Sequence, residues 1–274
     1  MNNIRLQNFR CYTDQSIVFK PGINLLVGDN ASGKTSVLKA CKYVLSSFFS
    51  GFSDENTKWI NPDVDDFRHL ELDGILLQEL PILITFDAED TIAYPEMTRS
   101  SLINLFGEKT DRWYTLIKNS KKNSRPLTSG IKEYKDYATL LKETYTNESG
   151  QQKALPLFAN FSTEDIHSTR KIDAGKFKTY NHKPSFGYYE CLEGDGFLPY
   201  WIKRLLILQE GERNKQEIAI VRKAISDALG ADGCNIIKDL HIRPLQKEVY
   251  YRFMDGREVE ADYLSDGSED LSIS

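Results

Sequence analysis

The 274 residues are 40% hydrophobic and 27% charged, enough apolar material for one large α/β domain or a domain with an inserted subdomain. A net charge of −5 and a pI near 5.5 argue against a general, sequence-blind affinity for nucleic acid or anionic membrane, which shows as a basic excess; a local basic patch remains compatible. The N-terminal MNNIRLQNFRCY has charges and no apolar signal-peptide core, and no run approaches the roughly 18 apolar residues of a membrane span, so a cytoplasmic location with no membrane partner is expected.

In chain order, Ile4, Leu6 and Phe9 predict a strand within 4–13 that bends near Asn8. Residues 16–27, SIVFKPGINLLV, predict two short strands joined at Pro21-Gly22, the second an apolar run ending at a glycine-containing loop. Val37, Leu38, Cys41, Val44, Leu45 and Phe48 recur at helical spacing and predict a helix over 33–49 with one buried face. Residues 50–74 read as loop-rich, with Gly51, Pro62 and an acidic cluster of Asp63, Asp65 and Asp66. PILITFD, 81–87, predicts a strand.

Residues 98–118 have a mixed pattern, and the polar, basic run Lys118–Gly130 reads as a mobile surface loop. A helix is predicted over 132–148, a linker over 147–152, and a strand over 154–161. From Phe197 to Leu229 the pattern is helical, broken at Glu210–Gln216. KEVYYRF and EVEADYL flank Met254-Asp255-Gly256-Arg257, where the Asp-Gly pair predicts a hairpin. Cysteines 11, 41, 191 and 234 form no CxxC pair and histidines 69, 167, 182 and 241 are scattered, so no zinc site is expected.

Gly28-Asp29-Asn30-Ala31-Ser32-Gly33-Lys34-Thr35 fits GxxxxGK[ST] at every fixed position, a match expected by chance in about one chain in a hundred of this length. It follows an apolar run and opens an amphipathic helix, as phosphate binding requires. The two glycines let successive amides turn inward, and the helix start adds unpaired N–H groups and a positive dipole end. Lys34 then supplies charge to the β- and γ-phosphates, the Thr35 hydroxyl is a magnesium ligand, and Ser36 reaches the α-phosphate. ATP with Mg2+ is the expected ligand.

Leu264-Ser265-Asp266-Gly267, after the hairpin, has the form LSxG. With the phosphate loop it resembles the ABC-type ATPase heads of the SMC, RecF-like and OLD-like group. The run IRLQNFRCYTDQSIVFKPGINLLVGDNASGKTSVLKA is very similar to that group's opening. SSFFSGFSDENTKWINPDVDDFRHL further resembles a bacterial branch of AAA-type ATP-binding proteins found in defence and virulence settings. The resemblance covers residues 1–70 and 245–270.

This resemblance implies an α/β P-loop NTPase fold: a mixed sheet carrying the phosphate loop, an antiparallel β subdomain and a helical insertion. Residues 1–274 would be a single head, with a nucleotide-binding lobe over 1–95, a mainly helical insertion over 96–232, and the hairpin plus signature over 233–274. It also implies ATP hydrolysis coupled to closure of a head-to-head homodimer, with ATP sandwiched between subunits. Ser265 and Gly267 would contact nucleotide in trans, and Arg10, the "NFR" arginine, would lie near it. The implied partner is an effector such as a nuclease, or a nucleic acid.

The group's Asp-Glu strand and switch histidine, which hydrolysis requires, are not found after LSDG, so the head reads as truncated and no catalytic residue is assigned. Asp87 ends an apolar run but is followed by Ala88, and a strand of the antiparallel subdomain is the favoured reading. Gln78 stands as a candidate for the magnesium-contacting glutamine, with a surface glutamine favoured. Three other readings are weighed. A small-molecule kinase would place its loop after the first strand and carry an arginine-rich lid. A GTPase is faintly echoed by Asn214-Lys215-Gln216-Glu217, with Glu where Asp is needed. The third is a nucleotide-binding fragment that does not hydrolyse.

Overall fold

The computed structural model describes residues 1–88, 113–119, 126–146, 155–160, 184–192, 205, 215–231, 233–243 and 248–260. The chain forms two compact units, one of residues 1–160 with 182–192, the other of 161–181 with 193–274.

The first unit is built on a four-stranded antiparallel sheet. Its strands are β1 (Asn3–Phe9), β2 (Tyr12–Val18), β5 (Ile82–Asp87) and β6 (Trp113–Lys118), in the order β2-β1-β5-β6. Alternation within each strand puts apolar side chains on one face in register. Ile4 lies opposite Phe86 and then Tyr114, and Leu6 opposite Ile84 and then Leu116. All six are buried. The other face carries Arg5, paired with Asp14, and Thr85 bonded to Thr115 at 3.0 Å.

Against the apolar face pack α1 (Lys34–Ser47) and α2 (Lys132–Thr146). Val37, Ala40, Tyr43 and Val44 form the buried stripe of α1, and Tyr43 meets Phe9 edge-on. Leu38, expected on that stripe, is exposed, because it is one position round from Val37 and so about 100° away on the helix. Beyond α1, Phe48, Phe49, Phe52, Tyr134, Phe158 and Tyr188 form an aromatic cluster with ring centroids 5.3–6.3 Å apart.

Several expectations shift. Residues 155–160 form no strand; Leu155 and Phe158 pack into the cluster as irregular chain. Lys118, placed in a surface loop, is instead the buried last residue of β6 opposite Ile82, and burial lowers its pKa against the pull of Asp63 and Asp66. Within the loop-rich stretch lies a hairpin, β3 (His69–Leu72) and β4 (Ile75–Gln78), turned by Asp73 and Gly74, both with positive φ. The described sheets are all antiparallel.

In the second unit, α3 (Lys215–Leu229) lays Val221 and Ile225 on a meander of β7 (Ile237–Arg243), β8 (Glu248–Phe253) and β9 (Glu258–Glu260). The expected hairpin is present, with Gly256 at φ 90°. Lys215, Gln216 and Glu217 of the faint NKxD echo lie in the first turn of α3. Residues 89–112, 120–125, 147–154, 193–204 and 206–214, on which parts of the expected insertion, basic loop and linker fall, lie outside the described residues.

Candidate functional site

After β2 the chain turns at Pro21-Gly22, where the Asn24 side chain bonds the Lys20 amide (2.9 Å) and the Lys20 and Gly22 carbonyls. The expected strand Ile23–Val27 pairs with nothing among the described residues, and Ile23, Leu25 and Val27 are 100%, 83% and 83% exposed. The apolar run is there; the neighbouring strand that would bury it is not among the described elements.

The next residues fold as a compact loop. The Ser32 amide donates to the Asp29 carbonyl at 3.2 Å, Ala31 takes φ 65° and Gly33 φ 91°. A non-glycine residue in the left-handed region is held there against its own preference, a mark of a loop shaped for something other than chain reversal. Gly33 is the N-cap of α1, with no side-chain cap and no acidic residue in the first turn. The first amides of the helix are therefore left to an external anion.

Lys34 curls back over the loop, its Nζ donating to the carbonyls of Gly28 (2.7 Å) and Asp29 (2.6 Å), with Ser32 Oγ at 3.4 Å. Thr35 is exposed, and Ser36 is buried beside Cys11, Oγ to Sγ 4.0 Å. Gly28, Asp29, Asn30, Ala31, Ser32, Gly33, Lys34, Thr35 and Ser36 thus run as one contiguous loop and helix start that gathers backbone amides, the Lys34 ammonium and the Thr35 hydroxyl, groups of the kind that a polyphosphate takes. Among the described residues no group of three or more His, Cys, Asp or Glu is placed to hold a metal, so magnesium here would rest on Thr35 and on oxygens brought by the ligand.

Two features add to the sequence-level site. The β1–β2 turn lies over the loop: Tyr12 Oη donates to the Gly33 carbonyl at 3.2 Å, and a Cβ at Gly33 would stand 2.5 Å from that hydroxyl and 2.8 Å from Cys11 Sγ. Beneath the turn, Asp66 is wholly buried. It accepts the Tyr43 hydroxyl at 2.5 Å and the Asp63 amide at 2.7 Å, and faces Lys39 (2.8 Å) and Arg10 (3.5 Å). Only the helical spacing of Thr35 and Lys39, four residues apart, offered a hint of this in the sequence.

Arg10 is therefore held at Asp66, one residue from Cys11 and two from Tyr12, both of which touch the loop. Asp87 is structural: it accepts from the Asn2 and Asn3 amides at 2.6 and 2.7 Å and from Asn3 Nδ2 at 2.6 Å, fastening the start of β1. Gln78 is half-buried and pairs across a hairpin with His69 at 3.0 Å through its Nε2. Ser265 and Gly267 lie outside the described residues.

Comparison with known proteins matches residues 3–229 to the AAA domain family. The DNA replication and repair protein RecF of Francisella tularensis subsp. novicida (strain U112) is 45% identical over 67 residues, 24% of this chain and 19% of that protein. The RecF proteins of subsp. holarctica (strain LVS) and subsp. mediasiatica (strain FSC147) match to the same extent. The chain thus spans about a fifth of the length of the curated relatives it matches. With the family matched over residues 3–229, most of its length, the chain belongs to the AAA domain family, and its partial likeness to RecF supports a P-loop ATPase of the ABC/SMC/RecF-like kind.

Proposed function

We propose that this chain binds ATP with Mg2+ through Gly28–Ser36. The observation that carries the reading is the uncapped start of α1, joined to a loop whose lysine already lies across the loop carbonyls. With the nucleotide bound, Lys34 and the helix amides would hold its phosphates, and the Thr35 hydroxyl would help hold a magnesium ion that offsets their charge. ATP hydrolysis coupled to head-to-head closure is the activity that the ABC/SMC/RecF-like type brings with it, with Ser265 and Gly267 meeting the partner's nucleotide. The relatives' name refers to DNA replication and repair, and a nucleic-acid transaction is the corresponding role for this chain. Regulation of an effector in a defence setting rests on the resemblance over residues 46–70 alone.

Titration with a fluorescent ATP analogue tests the binding step. Lys34→Ala should weaken affinity about 100-fold, the loss of a charge-assisted contact to two phosphates. Equal affinity of wild type and variant in the presence of magnesium removes the reading.

A second reading, nucleotide binding without hydrolysis, is favoured by one observation. Among the described residues no strand ends in an Asp-Glu pair, and the one buried carboxylate at a strand end, Asp87, is occupied by backbone amides. Phosphate release at several protein concentrations separates the two. A closing dimer gives specific activity that rises with concentration, a non-hydrolysing chain gives none, and a kinase would require an added acceptor.

A further inference from the structure

The hairpin of β3 and β4 carries an aliphatic face that stands in water. Its register sets Leu70 opposite Leu77 and Leu72 opposite Ile75, and strand alternation puts all four on one face. Leu72, Ile75 and Leu77 are between 50% and 62% exposed. The opposite face is mixed, with His69, Glu71, Leu76 and Gln78. A two-stranded ribbon is marginal in water by itself and gains stability from a layer laid over its apolar side.

The ribbon is held in one shape. Asp73 (φ 52°) and Gly74 (φ 76°) give both central turn residues the positive φ of a tight two-residue turn. At its base the Glu79 amide donates to the Arg68 carbonyl at 2.9 Å, and the Arg68 guanidinium holds the Glu79 carboxylate at 2.7 Å. The Arg68 amide donates to the Asn8 carbonyl at 3.2 Å, which ties that base to the end of β1.

Charge decides what kind of layer fits. From His69 to Leu80 there is no lysine or arginine, and the charges are Glu71, Asp73 and Glu79. Arg68 answers Glu79, whereas Glu71 and Asp73 are exposed and in no ion pair among the described residues. Glu71 belongs to the opposite face and Asp73 to the tip. On a ribbon two strands wide, both still lie within a Debye length, about 10 Å, of the aliphatic side chains. Exposed strands are ordinarily guarded by lysine, and this ribbon offers aliphatic side chains in a field of one sign instead. That field repels nucleic acid and anionic lipid, and a second copy of this chain brings the same negative charges to the contact. A strand added at an edge would widen the ribbon and leave its face open, whereas a helix lies across both strands and covers it.

We propose that the β3–β4 hairpin is the docking surface for an amphipathic helix of a partner protein, with aliphatic side chains on one face and lysine or arginine along its borders. Leu70, Leu72, Ile75 and Leu77 form the seat, and the field of Glu71 and Asp73 selects the basic borders. Docking here does not depend on nucleotide binding at Gly28–Ser36.

The probes are three fluorescein-labelled helical peptides of equal length, built of leucine and lysine, leucine and glutamate, or serine and lysine. Fluorescence anisotropy with the full chain at low salt should show the leucine–lysine peptide binding at least about tenfold more tightly than the others. Leu72→Ser/Leu77→Ser should weaken it about tenfold. Glu71→Lys/Asp73→Asn, in which asparagine tolerates the positive φ of the turn, should weaken it about three- to tenfold and flatten its salt dependence. No binding of the leucine–lysine peptide, as when the chain covers its own face, overturns the proposal. So does equal affinity of wild type and Leu72→Ser/Leu77→Ser, or a preference for the leucine–glutamate peptide. Wild-type dimerisation in sedimentation, or binding to phosphatidylserine vesicles, also overturns it if Leu72→Ser/Leu77→Ser abolishes that association, since the face then belongs to a second copy or a membrane. Should Leu72→Ser/Leu77→Ser fail to fold, Glu71→Lys/Asp73→Asn decides alone, and unchanged affinity for the leucine–lysine peptide overturns the proposal.

Discussion

The hydroxyl of Tyr12 donates to the carbonyl of Gly33 at 3.2 Å, so the turn between the first two strands is bonded to the residue at which the phosphate loop becomes a helix. The same carbonyl accepts the first helical bond of α1, from the Val37 amide at 3.0 Å. Loop shape and helix start are therefore fixed together, from above by the turn and from within by the helix.

Gly33→Ala should be the most damaging single change in the loop. Its φ of 91° disfavours any side chain, and the new Cβ would meet Tyr12 Oη and Cys11 Sγ well inside contact distance. A stability loss of about 2–4 kcal/mol is expected, read by urea unfolding, together with loss of nucleotide binding. Tyr12→Phe, which keeps the ring and removes only the hydroxyl, should cost about 1 kcal/mol. A Gly33→Ala protein as stable as wild type would show that the turn does not press on the loop.

Asp87→Ala separates a structural carboxylate from a catalytic one. Removing it strands two backbone amides and the Asn3 side chain at a mostly buried position, for a loss of about 2–3 kcal/mol. Nucleotide affinity of the folded variant should stay within about twofold of wild type. A variant that keeps its melting temperature but loses magnesium-dependent turnover would return Asp87 to the catalytic role.

Stability should fall on the alkaline side. Burial pushes the Cys41 thiol up from 9.0 to about 11, and raises Tyr43, where the Asp66 hydrogen bond adds to burial, and Tyr134, where burial again leads. Each group binds its proton more tightly when folded, so the stabilisation is complete below the unfolded pKa and is lost as pH rises towards the folded one. For Cys41 that window runs from about pH 9 to about pH 11 and is worth at most about 3 kcal/mol. Urea unfolding across this range should show the decline, and Cys41→Ala should flatten its first part. A flat profile in the wild type would mean that the thiol is not buried in the native state.

What the sequence disclosed was local. The phosphate loop was legible because its chemistry is written into eight consecutive residues, and β1, β5, α1 and the Asp255-Gly256 hairpin because periodicity and turn residues coincide there. The second Asp-Gly hairpin, at Asp73-Gly74, was hidden by its setting: the acidic, proline-containing stretch before it read as loop, although aliphatic residues flank the turn. Asp66 read as one of an acidic cluster in a loop-rich stretch, since nothing local says that Tyr43, Lys39 and Arg10, 23 to 56 positions away, converge on it. Phe158 looked like strand because an apolar run is the same whether it joins a sheet or fills a cluster of rings. The misses at Asp66 and Phe158 depend on long-range packing, which periodicity does not encode.

The last expectation concerns the apolar run before the loop. Ile23, Leu25 and Val27 stand almost fully in water, where burying each would stabilise by about 1.5–3 kcal/mol. A side chain that buries nothing contributes nothing when removed, so Leu25→Asp should change unfolding free energy by less than about 0.5 kcal/mol. It should also lower binding of a hydrophobic dye, since contiguous exposed apolar surface is what such dyes report. If Leu25→Asp instead destabilises the isolated chain by several kcal/mol, the run is covered in solution, either by residues outside the described set or by another copy. Repeating the measurement across a range of protein concentrations distinguishes the two, because only cover by another copy makes the loss depend on concentration.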